Sequence, residues 1–164
     1  MQIHSISELP NTPAIYLLFG GKKRKTYVAY VGIADKLKRR IEQHLVNRDS
    51  SIATGTTAAC LNPDYVTEIW WFSHPKFYDR NTLIASELVA FDHFEPTLRS
   101  RGSIPEIALE LYRRDEFQKE MKKLLMQGPT GKLDIPTLQE ALKKIDRLEK
   151  RIITMEKKIE KTES

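Results

Sequence analysis

The amino-acid sequence predicts an α/β protein that ends in a long helix, and three observations support this prediction. Three short segments are rich in strand-forming residues: 14–19, 26–32 and 66–72. Three further segments show helical apolar spacing or a proline at a helix start: 37–45, 81–95 and 105–127. From about residue 135, apolar residues recur every seven positions, which is the repeat of a coiled coil.

The first two strands are predicted to form an antiparallel hairpin. The apolar segment 14–19 ends at two glycines, four charged residues follow, and the second segment ends at Gly32. A glycine-containing turn between two strand-like segments is typical of a hairpin. Residues 47–64 are small and polar, so we expect a loop before the third strand. Trp70 and Trp71 indicate that this third strand is buried, one of them in the core and the other covered by a helix or a partner.

A first helix is predicted after Asp35, which stands where an N-cap residue belongs. One face of this helix is apolar, through Leu37, Ile41 and Leu45. Arg40 lies at the edge of that face and His44 follows one turn later, so both side chains can point into a cleft beside the sheet. A surface pair without function is the alternative. Arg39 points away from the apolar face, and we expect it to be solvated.

The second helix, which ends before Pro96, carries a carboxylate in an unusual place. Glu87 falls near the centre of the arc formed by the apolar side chains of residues 81–95. A carboxylate that faces a core is costly unless it is paired or bound to a metal. Two interpretations stay open: a glutamate neutralised by an arginine at the edge of the core, and a single carboxylate that holds a cation such as Mg²⁺.

A break at residues 128–133 is predicted to link a domain of residues 1–127 to a helical tail of residues 134–164. The break contains two glycines and a proline. The seven-residue seam of the tail comprises Leu138, Ala141, Ile145, Leu148, Ile152, Met155, Ile159 and Thr162. Such a seam favours a parallel dimer, so we expect a second copy or a partner chain to dock on residues 134–162. A solvated helix packed on its own domain is the alternative.

Composition limits the class of protein. The chain has 164 residues and 40% apolar content, which suits one globular domain with an appendage. No run of about 18 apolar residues occurs, so we expect no membrane-spanning helix and no membrane partner. Residues 1–13 lack the pattern of a secretory signal. Cys60 is the only cysteine, which excludes a disulfide framework and a cysteine-rich zinc site within one chain. We therefore expect a cytoplasmic protein.

Positive charge is concentrated in the first third of the chain. Residues 1–48 carry nine Lys and Arg against three Asp and Glu, whereas residues 49–128 carry nine against twelve. A basic region of this kind is typical of a polyanion partner. Candidate contacts to nucleic-acid phosphates are Lys22, Lys23, Arg24, Lys25, Arg99 and Arg101. Solvated surface charges are the alternative at these positions.

An ordered set of short motifs resembles the GIY-YIG endonuclease family. The motifs are Ala14-Ile15-Tyr16, Tyr30-Val31-Gly32, Arg40 with His44, and Glu87 nine residues before Pro96. They cover about residues 11–102. The resemblance implies a small three-stranded antiparallel sheet flanked by helices. It also implies a metal-dependent cut that leaves a 5′-phosphate and a 3′-hydroxyl.

The family also implies a role for each matching residue. Tyr16 and Tyr30 match the tyrosines of the two motifs, and one tyrosine helps to position or deprotonate the attacking water. Arg40 would stabilise the pentacovalent phosphate, and His44 would assist the water or the phosphate. Glu87 would be the sole protein ligand of the metal, Mg²⁺ or Mn²⁺. Analogy with the family favours DNA over RNA as the substrate.

Two positions depart from the family pattern. Ala14 stands where the first motif has glycine, which a backbone with negative φ tolerates. Arg99 stands near the place where the family often has asparagine, and it cannot accept a hydrogen bond. Gly32 keeps the pattern and would admit the backbone near the site. The departures leave a second hypothesis open: a catalytically weak nucleic-acid-binding or assembly module of the same fold that acts through its C-terminal helix.

Overall fold

The computed structural model describes residues 1–20, 27–47, 64, 66–98, 103–136 and 138–162. The strands in these ranges are β1 (Gln2–Ile3), β2 (Ala14–Gly20), β3 (Tyr27–Ala34), β4 (Val66–Phe72) and β5 (Gly131–Asp134). The helices are α1 (Leu37–Ile41), α2 (Arg80–Phe94), α3 (Glu106–Tyr112), α4 (Asp115–Met126) and α5 (Leu138–Thr162). The strands form one sheet in the order β1-β5-β4-β2-β3, which confirms the α/β class.

The prediction of a three-stranded antiparallel sheet is wrong in its extent, because two more strands complete the sheet. β2 pairs antiparallel with β3 and β4, so the hairpin prediction is confirmed. β5 pairs antiparallel with β4, and β1 pairs parallel with β5, which makes the sheet mixed. β5 begins inside the predicted linker of residues 128–133. A Cβ at Gly131 would stand 2.1 Å from Cζ2 of Trp71, so this glycine admits the indole against the strand and does not mark a break.

Helices cover both faces of the sheet, and alternate side chains of β2 point to each face. On one face, Tyr16 shares a buried cluster with Leu37 and Ile41 of α1. On the other face, the side chains of β2 meet those of α2 and α4, among them Ile15, Leu17, Leu83, Val89, Met121 and Leu125. Burial of each large apolar side chain stabilises the fold by about 1.5–3 kcal/mol. This two-sided packing fixes the strands that carry the predicted site.

Helix α2 agrees closely with the helix predicted for residues 81–95. Its N-cap is Asp79, whose carboxylate accepts a hydrogen bond from the backbone N–H of Thr82 at 2.7 Å. The helix ends where Glu95 adopts the left-handed conformation, with φ 45°, just before Pro96. Both ends are therefore set by local signals in the sequence.

The single helical stretch predicted for residues 105–127 is wrong, because the chain forms two helices there. Arg114 is extended, with φ −78° and ψ 119°, and separates α3 from α4. The side-chain amide of Gln118 donates to the backbone carbonyl of Tyr112 at 2.9 Å. That bond satisfies a carbonyl that the break removes from the helical ladder.

Helix α5 has 25 residues, and its described large apolar side chains are exposed. These exposed residues are Leu142, Ile145, Leu148, Ile152, Ile153, Met155 and Ile159. The helix is therefore solvated along these side chains, which are not packed on the described part of the domain, and the coiled coil stays a prediction. Among the helices that the structure describes, none is both long enough and apolar enough to cross a membrane.

Candidate active site

Tyr16 of β2 and Tyr30 of β3 lie side by side on the sheet face that α1 covers. Their ring centroids are 5.9 Å apart. Gly32 pairs with Tyr16 in the sheet, and a Cβ at this glycine would stand 2.7 Å from the Tyr16 hydroxyl oxygen and 2.6 Å from Cε1 of Tyr30. The absence of a side chain at residue 32 therefore makes room for two phenol rings, beyond the close backbone approach expected from the sequence.

His44 joins the two tyrosines from the π-helical turn Glu42–Val46, which continues α1. Its Nε2 atom lies 2.7 Å from the Tyr16 hydroxyl oxygen. The imidazole centroid is 5.7 Å from that of Tyr16 and 6.0 Å from that of Tyr30. The sequence predicts Arg40 and His44 together in a cleft, but His44 is enclosed, with 1% of the residue exposed. Single π-helical turns are frequent at functional sites, because they redirect one side chain out of the regular helical order.

The Tyr16–His44 pair is uncharged at neutral pH. Burial, and then the Arg40 cation, lower the pKa of His44 to about 3. Burial, and then Tyr30, raise the pKa of the Tyr16 phenol well above its usual value. When the imidazole carries its proton on Nδ1, the Tyr16 hydroxyl donates its hydrogen bond to Nε2. His44 is therefore placed to receive a proton that Tyr16 releases.

Arg40 brings a positive charge to the two tyrosines. Burial raises the pKa of both phenols, and the Arg40 charge and its hydrogen bonding oppose that rise. The Arg40 side chain is half-buried, and its Nη1 atom donates to Oε1 of Gln43 at 3.4 Å. The guanidinium therefore contacts the buried cluster while part of it stays open to solvent.

Glu87 of α2 acts on the same cluster through its charge. It is half-buried, and after burial itself its carboxylate charge is the largest cause of the raised pKa of the Tyr30 phenol. The chain that follows α2 is held along β3, where the Leu98 N–H donates to the Ala29 carbonyl at 2.9 Å. The Glu87 carboxylate therefore brings a negative charge near Tyr30.

The chemistry at Glu87 fits a hard divalent cation. The parts of the chain that the structure describes hold no group of three or more His, Cys, Asp or Glu side chains. Mg²⁺ is usually held by one or two carboxylates and keeps several waters, so a cage of protein ligands is not required. A half-buried carboxylate oxygen close to Tyr30 is a suitable ligand of this kind.

A basic cleft of about 420 Å³ opens beside Arg40. Its charged lining comprises Lys36, Arg39, Arg40, Arg80 and Asp35. Asp35 accepts a hydrogen bond from Arg80 at 2.8 Å and does not cap α1, where Lys36 holds the N-cap position, so the predicted cap is wrong. Arg39 is exposed, as predicted, but it also lines this cleft.

The sequence patterns do not mark Lys36, Arg39 and Arg80 as site residues. Four of the five residues from Lys36 to Arg40 are basic, which was an available signal because they lie at the start of one short helix. Arg80 lies 45 residues from its partner Asp35, and no local pattern joins them.

Several of the other predicted contacts cannot be located relative to this cluster. Lys22, Lys23, Arg24, Lys25, Arg99 and Arg101 lie outside the described residues, as do residues 48–63 of the predicted loop. Trp71 is buried, whereas Trp70 is half-buried between the Phe19 ring, at 4.6 Å, and Nζ of Lys132, at 3.7 Å. Among the described residues, only Glu95 and Gly128 have a positive φ. Ala14 therefore occupies its position without the strain that glycine would relieve.

We compared the chain with models of protein families, with curated proteins and with solved structures, and none of the three comparisons gave a match.

Proposed function

We propose that this chain is a metal-dependent endonuclease that hydrolyses phosphodiester bonds of nucleic acid, with DNA favoured by analogy. The observation that supports this function most is the convergence of Tyr16, Tyr30 and His44, whose ring centroids lie within 6.0 Å of one another. The Arg40 cation and the Glu87 anion both act on this cluster, since the first lowers and the second raises the pKa of Tyr30. The five residues are those that the family resemblance named.

Arg40 is proposed to bind the scissile phosphate. A guanidinium can donate two parallel hydrogen bonds to phosphate oxygens, and it stays charged at every working pH. Its half-buried position strengthens this interaction, because a partly desolvated charge is screened less than an exposed one. Arg40 would therefore stabilise the negative charge that grows on the phosphate during attack.

Tyr16 and His44 are proposed to take the proton of the attacking water. The raised pKa of Tyr16 makes its phenolate rare at neutral pH, so the hydroxyl accepts a proton only as it passes its own proton to Nε2 of His44. The Arg40 cation contributes to the low pKa of His44. A phosphate bound to Arg40 offsets that cation and raises the pKa of His44. Substrate binding would thereby improve the base that the reaction needs.

Glu87 would hold the divalent metal. When it is bound, Mg²⁺ or Mn²⁺ supplies Lewis acidity at the phosphate and lowers the pKa of bound water. Burial, and then the Glu87 charge of the metal-free site, raise the pKa of the Tyr30 phenol, so Tyr30 is protonated at neutral pH. A protonated Tyr30 can donate a hydrogen bond and so orient the water or the phosphate.

The basic cleft beside Arg40 is proposed to bind the neighbouring phosphates of the strand. Lys36, Arg39 and Arg80 supply charge without any base-specific donor pattern. Contacts of this kind position a nucleic acid and give affinity that falls with salt, but they do not read its sequence. A cytoplasmic location, which the sequence predicts, remains part of this proposal.

A nucleic-acid-binding module of the same fold is the second candidate. The basic cleft favours it, since four cations against one carboxylate can hold a strand without cutting it. The presence of Arg99 where the family often has asparagine also favours this candidate. The two candidates differ in whether bound nucleic acid is cleaved.

Cleavage and binding measured on the same protein distinguish the two candidates. Labelled single- and double-stranded DNA are incubated with Mg²⁺, Mn²⁺ or EDTA, and binding is followed by fluorescence anisotropy. The Arg40→Ala variant tests whether the activity belongs to this site, and the exposed Arg114→Ala is its matched control. Metal-dependent cutting that only Arg40→Ala loses supports the nuclease. Binding without cutting by the wild type supports the module.

A further inference from the structure

An exposed apolar stripe on α5 follows the seven-residue repeat. Numbering the seven-residue repeat from a to g, position a holds Ile145, Ile152 and Ile159, and position d holds Leu148 and Met155. These five side chains are between 46% and 58% exposed. β-branched residues at a with Leu at d favour two parallel strands. Water-exposed apolar side chains in such a row gain free energy when a second helix covers them.

We infer that a second copy of this chain covers the stripe, in a parallel and in-register coiled coil. The charges that flank the seam carry this inference. Between residues 144 and 156, position g holds Lys144 and Arg151, whereas position e holds Glu149 and Glu156. In a parallel pair, each g residue faces the e residue five positions later on the other helix. Lys144 then faces Glu149, and Arg151 faces Glu156.

The twofold symmetry of a homodimer repeats both contacts, which gives four pairs of opposite charge. All four flanking residues are exposed in the single chain. The outer surface of the helix satisfies its charges differently: Nζ of Lys150 lies 2.9 Å from Asp146, and these residues hold positions f and b. The positive charges therefore lie on one side of the seam and the negative charges on the other. A second copy of the same helix presents the matching charges.

The opposite orientation is disfavoured by the same residues. In an antiparallel pair, g residues face g residues and e residues face e residues. Lys144 and Arg151 would then meet each other, as would Glu149 and Glu156. Like charges in these positions destabilise a coiled coil, so the pattern selects the parallel form.

A parallel coil places both copies of the sheet at one end of the dimer. α5 begins at Leu138, only four residues after β5 ends at Asp134. Both chains therefore enter the coil at the same end, which brings the two sheets to that end of the assembly. This inference rests on α5 alone and is independent of the proposed function.

Sedimentation of the full chain at micromolar concentration tests the surface. We expect a dimer for the wild type, a monomer for Ile152→Lys at position a, and a dimer for the control Ile153→Lys at position b. Ile152 and Ile153 are neighbours with similar exposure, 55% and 49%, so they differ chiefly in their place in the repeat. A monomeric wild type, or equal behaviour of the two variants, would overturn the inference.

Charge exchange tests the partner. Lys144→Glu with Arg151→Glu leaves four like-charge contacts, and we expect the dimer dissociation constant to rise about tenfold or more. Adding Glu149→Lys and Glu156→Lys to the same chain restores four opposite pairs and should restore the dimer. A fourfold variant that stays monomeric would show that the second copy is not the occupant.

A disulfide tests the orientation. In a Cys60→Ser background, Ile159→Cys places one thiol near the end of α5. In a parallel, in-register pair the two thiols adjoin, and mild oxidation gives a covalent dimer. In an antiparallel pair they are about 27 Å apart, from 18 residues at about 1.5 Å each. Sedimentation as a dimer without the cross-link would overturn the parallel arrangement.

Discussion

Gly32→Ala is expected to damage the site through steric contact alone. The new Cβ would stand between 2.6 Å and 2.8 Å from atoms of Tyr16 and Tyr30, where ordinary contacts are 3.4–4 Å. One or both rings must move by roughly 0.6–1 Å, which is enough to lower the rate of catalysis about 100-fold. Overpacking lowers the free energy of unfolding by about 1–3 kcal/mol. Alanine also restricts the unfolded chain more than glycine does, which offsets roughly 0.4–1 kcal/mol of that loss. We expect a net loss of about 1–2 kcal/mol in the free energy of unfolding.

Thermal unfolding followed by circular dichroism measures this loss, since about 1–2 kcal/mol lowers Tm by roughly 2–8 °C for a chain of this size. Metal-dependent cleavage is measured on the same preparation. Gly20→Ala is the matched control, because its Cβ would meet the Tyr27 ring at 3.0 Å and that residue is 46% exposed and can turn away. If Gly32→Ala and Gly20→Ala had the same Tm and the same rate, the tight packing around residue 32 would be refuted.

Three further predictions follow from the protonation states and the cleft. Tyr16→Phe keeps the ring but removes the 2.7 Å bond to His44, so we expect a loss of about 1 kcal/mol in stability and a fall in cleavage rate of about 100-fold or more; full cleavage by this variant would exclude the relay. The pKa of His44 is about 3 in the folded protein and about 6.5 when unfolded, so the unfolded chain binds the extra proton between these values and stability falls as the pH drops below about 6.5, by up to about 1.4 kcal/mol per unit. Urea unfolding at pH 7 and pH 5 should therefore show a smaller loss for His44→Gln than for the wild type, and equal losses would contradict the buried neutral imidazole. Lys36→Ala and Arg39→Ala should each weaken DNA binding and lower its salt dependence by about one counterion, whereas the exposed Lys143→Ala should not; three equal isotherms would exclude the cleft as a binding surface.

The central strands and the spacing of the site residues follow from local patterns. Strong runs of apolar and aromatic residues define β2, β3 and β4, and period-two alternation sends Tyr16 and its neighbours to alternate faces. Asp79 and Pro96 set the limits of α2 by capping and by chain termination. Such signals act over a few residues, which is why they can be recognised in a single sequence.

The remaining features depend on contacts between distant residues. Gly131 belongs to a strand because Trp71 packs against it. The sequence alone does not distinguish such a glycine from one in a turn. The depth of His44 depends on one π-helical turn, which helical periodicity does not predict. The cleft needs Arg80 beside Asp35, and that pairing exists only after the sheet and α2 have packed together.

The activity of Glu87→Ala tests the central claim most directly. Single-turnover cleavage of DNA is measured in Mg²⁺ and in EDTA for the wild type, for Glu87→Ala and for Glu110→Ala, an exposed carboxylate on α3. The proposed site predicts cutting by the wild type and by Glu110→Ala in Mg²⁺ alone, and a loss of about 1000-fold or more for Glu87→Ala while DNA binding persists. Cutting by Glu87→Ala at the rate of the wild type would contradict the role of this carboxylate as the metal ligand.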